Sequence, residues 1–154
     1  ANHRETFEQS MAPAQLAERL ALFMQAYTLY SSVRPFGANL LVGALDPLTH
    51  TPHLYLLEPS GVYWGYRAAA AGRGRVVART ELEKLALEQM EAQQAVKEAA
   101  RIIYLAHEEA GKDKDFELEI SWIAPASNHQ HALVPDALLQ EAIVYAQQAL
   151  ESRF

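Results

Sequence analysis

The sequence predicts an α+β domain in which antiparallel strands are covered by amphipathic helices. Three observations predict it. Glu58-Pro-Ser-Gly61 separates two strand-like runs with proline second and glycine fourth, the pattern of a type I turn, so those runs form a hairpin. Phe116-Glu-Leu-Glu-Ile-Ser-Trp122 alternates strictly between apolar and polar residues, as a half-buried strand does. Leu16, Leu20, Phe23, Tyr27 and Tyr30, and later Leu139, Ile143, Ala146 and Leu150, recur every three or four residues, the period of a helix with one buried face.

The elements follow in order. Ser10 and Pro13 punctuate the start of a helix that ends near Tyr30. Ala38 to Leu45, opened by Gly37 and closed by Asp46-Pro47, reads as a buried strand. His53–Leu57 and Val62–Ala70 are the arms of the hairpin. From Val76 the pattern turns helical, with Thr80-Glu-Leu-Glu-Lys84 in the first helix of this half and a second helix over roughly Gln93 to Ala110. In that second helix Val96, Ala99, Ile103 and Ala106 are expected to line one face, with Gly111 as its stop. Lys112 to Asp115 is a solvated charge run, Phe116–Trp122 the fourth strand, Ser127 to His131 a polar loop, and a last helix follows Pro135. Four strands and four helices with a hairpin define the α+β class. The strands are apolar enough to need covering, yet few elements precede the first helix to supply a second sheet. The first ten residues, ANHRETFEQS, resemble the middle of a helix, so part of the fold is expected to lie upstream.

Bulk properties narrow the function classes. The 154 residues, half of them apolar, suit one domain with a sizeable core. A net charge of −6 argues against general binding of nucleic acid or anionic membranes, both of which need basic surfaces. No apolar run approaches the ~20 residues of a membrane-spanning helix, and no basic-then-apolar leader opens the chain. The absence of cysteine excludes disulfides and thiolate chemistry and fits a reducing compartment. These features predict a soluble intracellular domain.

Candidate chemistry is sparse. Gly72-Arg-Gly-Arg75, with Arg67 and Arg79 nearby, offers a basic turn before a helix that could cradle a phosphate, but it lacks the lysine and hydroxyl of a P-loop. The pairs His50/His53 and His129/His131 have no acidic or cysteine partners at ligand spacing, so no metal is expected. His107 falls beside an apolar helix face and reads as a packed residue. Glu81, Glu83, Glu117 and Glu119 alternate with apolar residues and are expected to face solvent. No Gly-x-Ser-x-Gly elbow is present, and no catalytic constellation emerges.

Four segments in order resemble the proteasome α-type subunit family. They are Tyr27-Thr-Leu-Tyr-Ser-Ser-Val-Arg-Pro-Phe-Gly37, Glu58-Pro-Ser-Gly61 followed by Tyr63 to Gly72, Thr80-Glu-Leu-Glu-Lys84, and Lys97 to Trp122. The last is nearest to the type-3 members, which take the seventh position of the eukaryotic ring. The resemblance implies the αββα sandwich of two antiparallel sheets shared with N-terminal-nucleophile hydrolases, here lacking its N-terminal strands and helix, so that residues 1–154 form one domain, the C-terminal portion of such a subunit. It implies a non-catalytic structural role in the outer ring of the 20S core particle, in cytoplasm and nucleus, in ubiquitin-dependent and other protein degradation. Partners would be the other α subunits of a seven-membered ring, β subunits, activators or the regulatory particle, and unfolded protein in transit; no cofactor, nucleic acid or membrane is implied. Catalytic relatives use an N-terminal threonine whose own amine is the base, and Ala1 is not such a residue. The alternative is an N-terminal-nucleophile hydrolase whose nucleophile lies in the missing part; a processed Thr, Ser or Cys at the full-length N-terminus would support it.

By the same resemblance Tyr30, Ser31, Ser32 and Val33 match the turn that lines the annulus of the α ring. Small residues suit a place where several copies approach one axis. Arg34 is expected to brace the turn by donating to backbone carbonyls, Pro35 to end the helix, and Gly37 to admit the chain to the strand. The family more often carries glycines where Ser31 and Ser32 stand.

Overall fold

The computed structural model describes residues 11–111 and 115–153. The readings of residues 1–10 as helix interior and of Lys112, Asp113 and Lys114 as a charge run fall outside them. The chain forms two compact units, Ala1–Gly72 and Arg73–Phe154. Helices and antiparallel sheets are both present, so the α+β class is borne out.

The first unit holds helix α1 (Pro13–Leu29) and strands β1 (Leu40–Leu45), β2 (Pro52–Leu57) and β3 (Tyr63–Tyr66). Proline at the first helical position loses no hydrogen bond, because that N–H has no intrahelical partner. The buried stripe of α1 is Pro13, Ala17, Ala21 and Met24. Its alanines let the helix lie close to Leu57, which is fully buried, with Val42, Tyr55 and Tyr63 packed around them.

The three strands form one antiparallel sheet in the order β1-β2-β3. The register Leu41↔Leu56 and Leu56↔Trp64 places these three residues on the face opposite α1, where Leu41 and Trp64 are exposed. The predicted hairpin turn forms: the Gly61 N–H donates to the Glu58 carbonyl at 3.0 Å, and Gly61 has φ +88°. A Cβ at Gly61 would stand 2.8 Å from Cβ of Gln25, so both backbone and space demand glycine. The strand expected to run to Ala70 ends at Tyr66. Tyr66 pairs with Leu54, two residues from Pro52, which has no N–H to extend the ladder.

The β1–β2 connection is held by Asp46, whose carboxylate accepts from the N–H groups of Leu48 (2.8 Å) and Thr49 (3.1 Å). Those two donors hold its pKa below the ordinary aspartate value.

The second unit holds α2 (Arg75–Glu83), α3 (Ala92–Glu109), β4 (Ser121–Ile123), β5 (His131–Leu133) and α4 (Asp136–Glu151), with 3-10 turns at Leu87–Gln89 and Pro125–Ser127. Its core is Val96, Ala100, Val134, Ala142 and Ala146, and Tyr104, Leu118, Ile120, Trp122 and Leu138 pack on it. Ala100, Ala142 and Ala146 are fully buried and bring α3 close to α4.

Three expectations are corrected in this unit. Ala99 and Ile103 are exposed, and the buried residues of α3 are Val96, Glu98, Ala100, Ile102 and Leu105. The helix packs on α2 as well as α4, so its buried arc is broader than a single stripe and rotated from the one read by period. Glu81 is buried rather than solvent-facing. The supposed polar loop through His131 contains the start of β5, which pairs with β4 through Trp122↔Ala132 and Ile123↔His131.

The Phe116–Trp122 alternation holds: Phe116, Leu118, Ile120 and Trp122 are partly buried, and Glu117, Glu119 and Ser121 are exposed. Only Ser121–Ile123 forms a ladder, because β5 is three residues long and pairs with no more of it. Phe116 instead meets Tyr104, with ring centroids 4.8 Å apart, and His107, at 4.2 Å, so His107 is packed as read.

Candidate functional site

The turn after α1 is the candidate site, and local chemistry builds it. The helix stops at Leu29, and Tyr30 adopts extended backbone with φ −111° and ψ 134°. Residues 30–39 are all exposed. Among the described residues their backbone makes one hydrogen bond outside regular elements, from Val33 N–H to the Tyr30 carbonyl at 3.4 Å. Tyr30 is 64% exposed and Ser31 and Ser32 form the turn, so the predicted port residues are contiguous and exposed. Arg34 is exposed, and among the described residues its side chain forms no hydrogen bond or ion pair. A Cβ at Gly37 would meet nothing within 4 Å, and its backbone lies outside the left-handed region, so glycine is not required sterically there.

What does contact the helix is Phe36. Its ring centroid lies 4.8 Å from Tyr27 and 5.9 Å from Phe23, and those two rings are 5.3 Å apart. Phe23 and Tyr27 are one helical turn apart, so both face the returning chain. Sequence reading noted Tyr27 and Phe36 as part of a motif but not as neighbours. The available signal was three aromatic residues flanking one turn, two of them spaced i, i+4.

The other candidate groups have structural positions. Gly72 and Gly74 both have left-handed φ, +91° and +78°, and Gly74 precedes α2 with a hypothetical Cβ only 3.1 Å from Cβ of Ala106. The glycine thus serves close packing of α2 on α3, beside exposed Arg73 and Arg75. No group of three or more histidine, cysteine, aspartate or glutamate residues among the described residues could hold a metal ion. No described helix is long and apolar enough to cross a membrane.

One buried polar network went unread in the sequence. Glu81 accepts from Lys84 Nζ (2.7 Å) and Arg101 Nη1 (2.8 Å), with Arg153 Nη2 at 3.5 Å. Arg101 Nε donates to Glu98 at 2.7 Å, and Glu98 also accepts from Tyr145 Oη (2.6 Å) and Gln94 Nε2 (3.3 Å). Hydrogen bonds from Lys84 and Arg101 pull the Glu81 pKa down to about 2. Burial pushes Glu98 up, but Tyr145 and Arg101 outweigh it and its pKa is lowered. The Glu98 acceptor, with burial, raises that of the Tyr145 hydroxyl. A general base or acid must titrate near the working pH. Glu81 does not, and every carboxylate oxygen in the network has a donor. The arrangement ties α2, α3 and α4 together and is not built for proton transfer. The pairs Glu81/Lys84 and Glu98/Arg101 were legible at i, i+3; Glu81 with Arg101 and Glu98 with Tyr145 join residues distant in sequence.

The model of the proteasome subunit family matches residues 1–123, and the chain belongs to that family. Its relatives carry more particular names. Proteasome subunit alpha type-3 of Acanthamoeba castellanii is 49% identical over 97% of this chain and 58% of its own length. The probable proteasome subunits alpha type-7 of Schizosaccharomyces pombe and Saccharomyces cerevisiae are 48% and 49% identical, over 93% and 97% of this chain and 55% and 52% of their own lengths. The resemblance carried by Tyr27–Gly37, Glu58–Gly61, Thr80–Lys84 and Lys97–Trp122 is thereby borne out. The chain spans between half and three fifths of the length of these relatives.

Proposed function

We propose that the chain is the C-terminal portion of a non-catalytic, structural subunit of the outer ring of the 20S proteasome. One observation carries the reading: relatives 40–49% identical over at least 92% of this chain bear the names of proteasome α-type subunits. The complete protein is an αββα sandwich. The exposed Leu41 and Trp64 opposite α1 support this, since such a face calls for a second layer. The subunit joins other α subunits in a seven-membered ring, seats the β ring on one side and receives activators on the other. It works in cytoplasm and nucleus, in ubiquitin-dependent and other protein degradation.

In this reading Tyr30, Ser31, Ser32 and Val33 line the axial port. Pro35 and Gly37 carry the chain away from it, and Arg34 is available to carbonyls that assembly brings near. The port acts by geometry: a narrow annulus passes an unfolded strand and excludes a folded domain. Exposure of the turn and the small side chains of Ser31 and Ser32 support the assignment. The test is Ser31→Trp in a fully assembled particle opened by an activator. Degradation of an unfolded protein should slow while cleavage of short peptides is unchanged. Equal rates for both substrates, relative to the unmodified particle, would remove the turn from the port.

A further inference from the structure

We infer that Phe23, Tyr27 and Phe36 form an aromatic clamp that positions the turn Tyr30–Val33; the functional importance of that position rests on the port assignment proposed above. The segment between α1 and β1 has little else to fix it. Residues 30–39 are exposed, and the turn's backbone hydrogen bond outside regular elements, among the described residues, is the 3.4 Å contact from Val33 to Tyr30. A chain so poorly bonded samples many conformations unless its ends are pinned.

The near end is pinned by the helix. Ala17, Ala21 and Met24 are buried with Leu57, so α1 is seated on the sheet through that stripe. Phe23 is 55% exposed on the flank of the stripe, and Tyr27 lies one turn further on. The far end is pinned when Phe36 returns to these two rings. All three centroid separations fall between 4.8 and 5.9 Å, and the interplanar angles of 41°, 57° and 61° are tilted or edge-on, the favourable arrangement for aromatic quadrupoles. Pro35 stands immediately before Phe36 and fixes its own φ, so the docked ring holds the direction of Arg34 as well. Tyr30 to Val33 form the apex of a loop closed at both ends, and their position is set by aromatic packing rather than by bonds within the turn.

The experiment uses the full-length subunit reconstituted into the core particle, with a nitroxide attached at Ser32→Cys before assembly. A second preparation carries the nitroxide at Ser60→Cys, in the β2–β3 turn, as the control. Phe36→Ala should speed motion of the label at position 32 roughly threefold or more, since it removes two ring contacts, while the label at position 60 is unchanged. Phe36→Tyr should restore the slower motion. Unchanged motion at position 32 in Phe36→Ala, or equal loosening at position 60, overturns the clamp. Degradation of an unfolded protein by the same particles separates the two readings. A loosened label with unaltered degradation keeps the clamp and removes the turn from the port. A label that does not loosen removes the clamp and leaves the port to the Ser31→Trp result.

Discussion

Replacing Arg101 with methionine tests the buried network of the second unit. The guanidinium serves two carboxylates on different helices, Glu81 at 2.8 Å and Glu98 at 2.7 Å. Methionine keeps much of the stem but leaves both carboxylates without their shared cation. Breaking a buried pair on one side costs about 3–5 kcal/mol. Lys84 and Arg153 still face Glu81, and Tyr145 and Gln94 still face Glu98, so the expected loss lies at the low end, about 3 kcal/mol at neutral pH. Lys84 first and Arg101 second pull the Glu81 pKa down, so Arg101→Met removes only part of that shift. A carboxyl with a depressed folded pKa contributes fully above its unfolded value and loses the contribution as pH falls toward the folded one. The unmodified subunit should therefore lose stability from this group between about pH 4.5 and 2. The deficit of Arg101→Met should be largest near neutrality and shrink in acid, where its carboxylates protonate earlier. Urea denaturation of the full-length subunit at several pH values measures both. A deficit below about 1 kcal/mol, or one that is the same in acid as at neutrality, would refute the reasoning.

Two further substitutions examine packing. Trp122→Ala should destabilise by about 3 kcal/mol in calorimetry, because the indole packs on the Val96–Ala100–Val134 cluster; a loss under about 1 kcal/mol would place it on a free surface. Gly74→Ala should cost about 2 kcal/mol, since φ is +78° and the new methyl meets Ala106 at 3.1 Å, whereas Gly37→Ala, in open space at ordinary φ, should be neutral or slightly stabilising. Equal effects at the two glycines in denaturant titrations would contradict the geometry.

What the sequence revealed was local, and what it hid was relational. The Glu58–Gly61 turn was legible because, within four residues, proline fixes φ and glycine admits the positive φ the turn needs. The parity of Phe116 to Trp122 was legible because alternation needs only one strand, while the ladder needs a partner, and only its last residues have one. Ile103 was misplaced because a helix packed on two neighbours buries an arc that its own period does not define. Glu81 looked like a surface residue because Arg101 and Arg153, which make its burial tolerable, are far along the chain. In the turn, Ser31 and Ser32 were picked out by the family resemblance, and both are exposed. The return of Phe36 to Tyr27 was not, since the eight residues of intervening chain carry no register.

The ion network also imposes an order of events during synthesis. Glu81 leaves the ribosome with Lys84 three residues behind it, but Arg153 is made 72 residues later. At roughly 5–20 residues per second that interval lasts several seconds. Glu98 waits in the same way for Tyr145. Through that interval α2 and α3 carry two carboxylates with an incomplete set of donors, which disfavours their final burial. The donor set of the network is therefore complete only once the chain has been translated through Arg153.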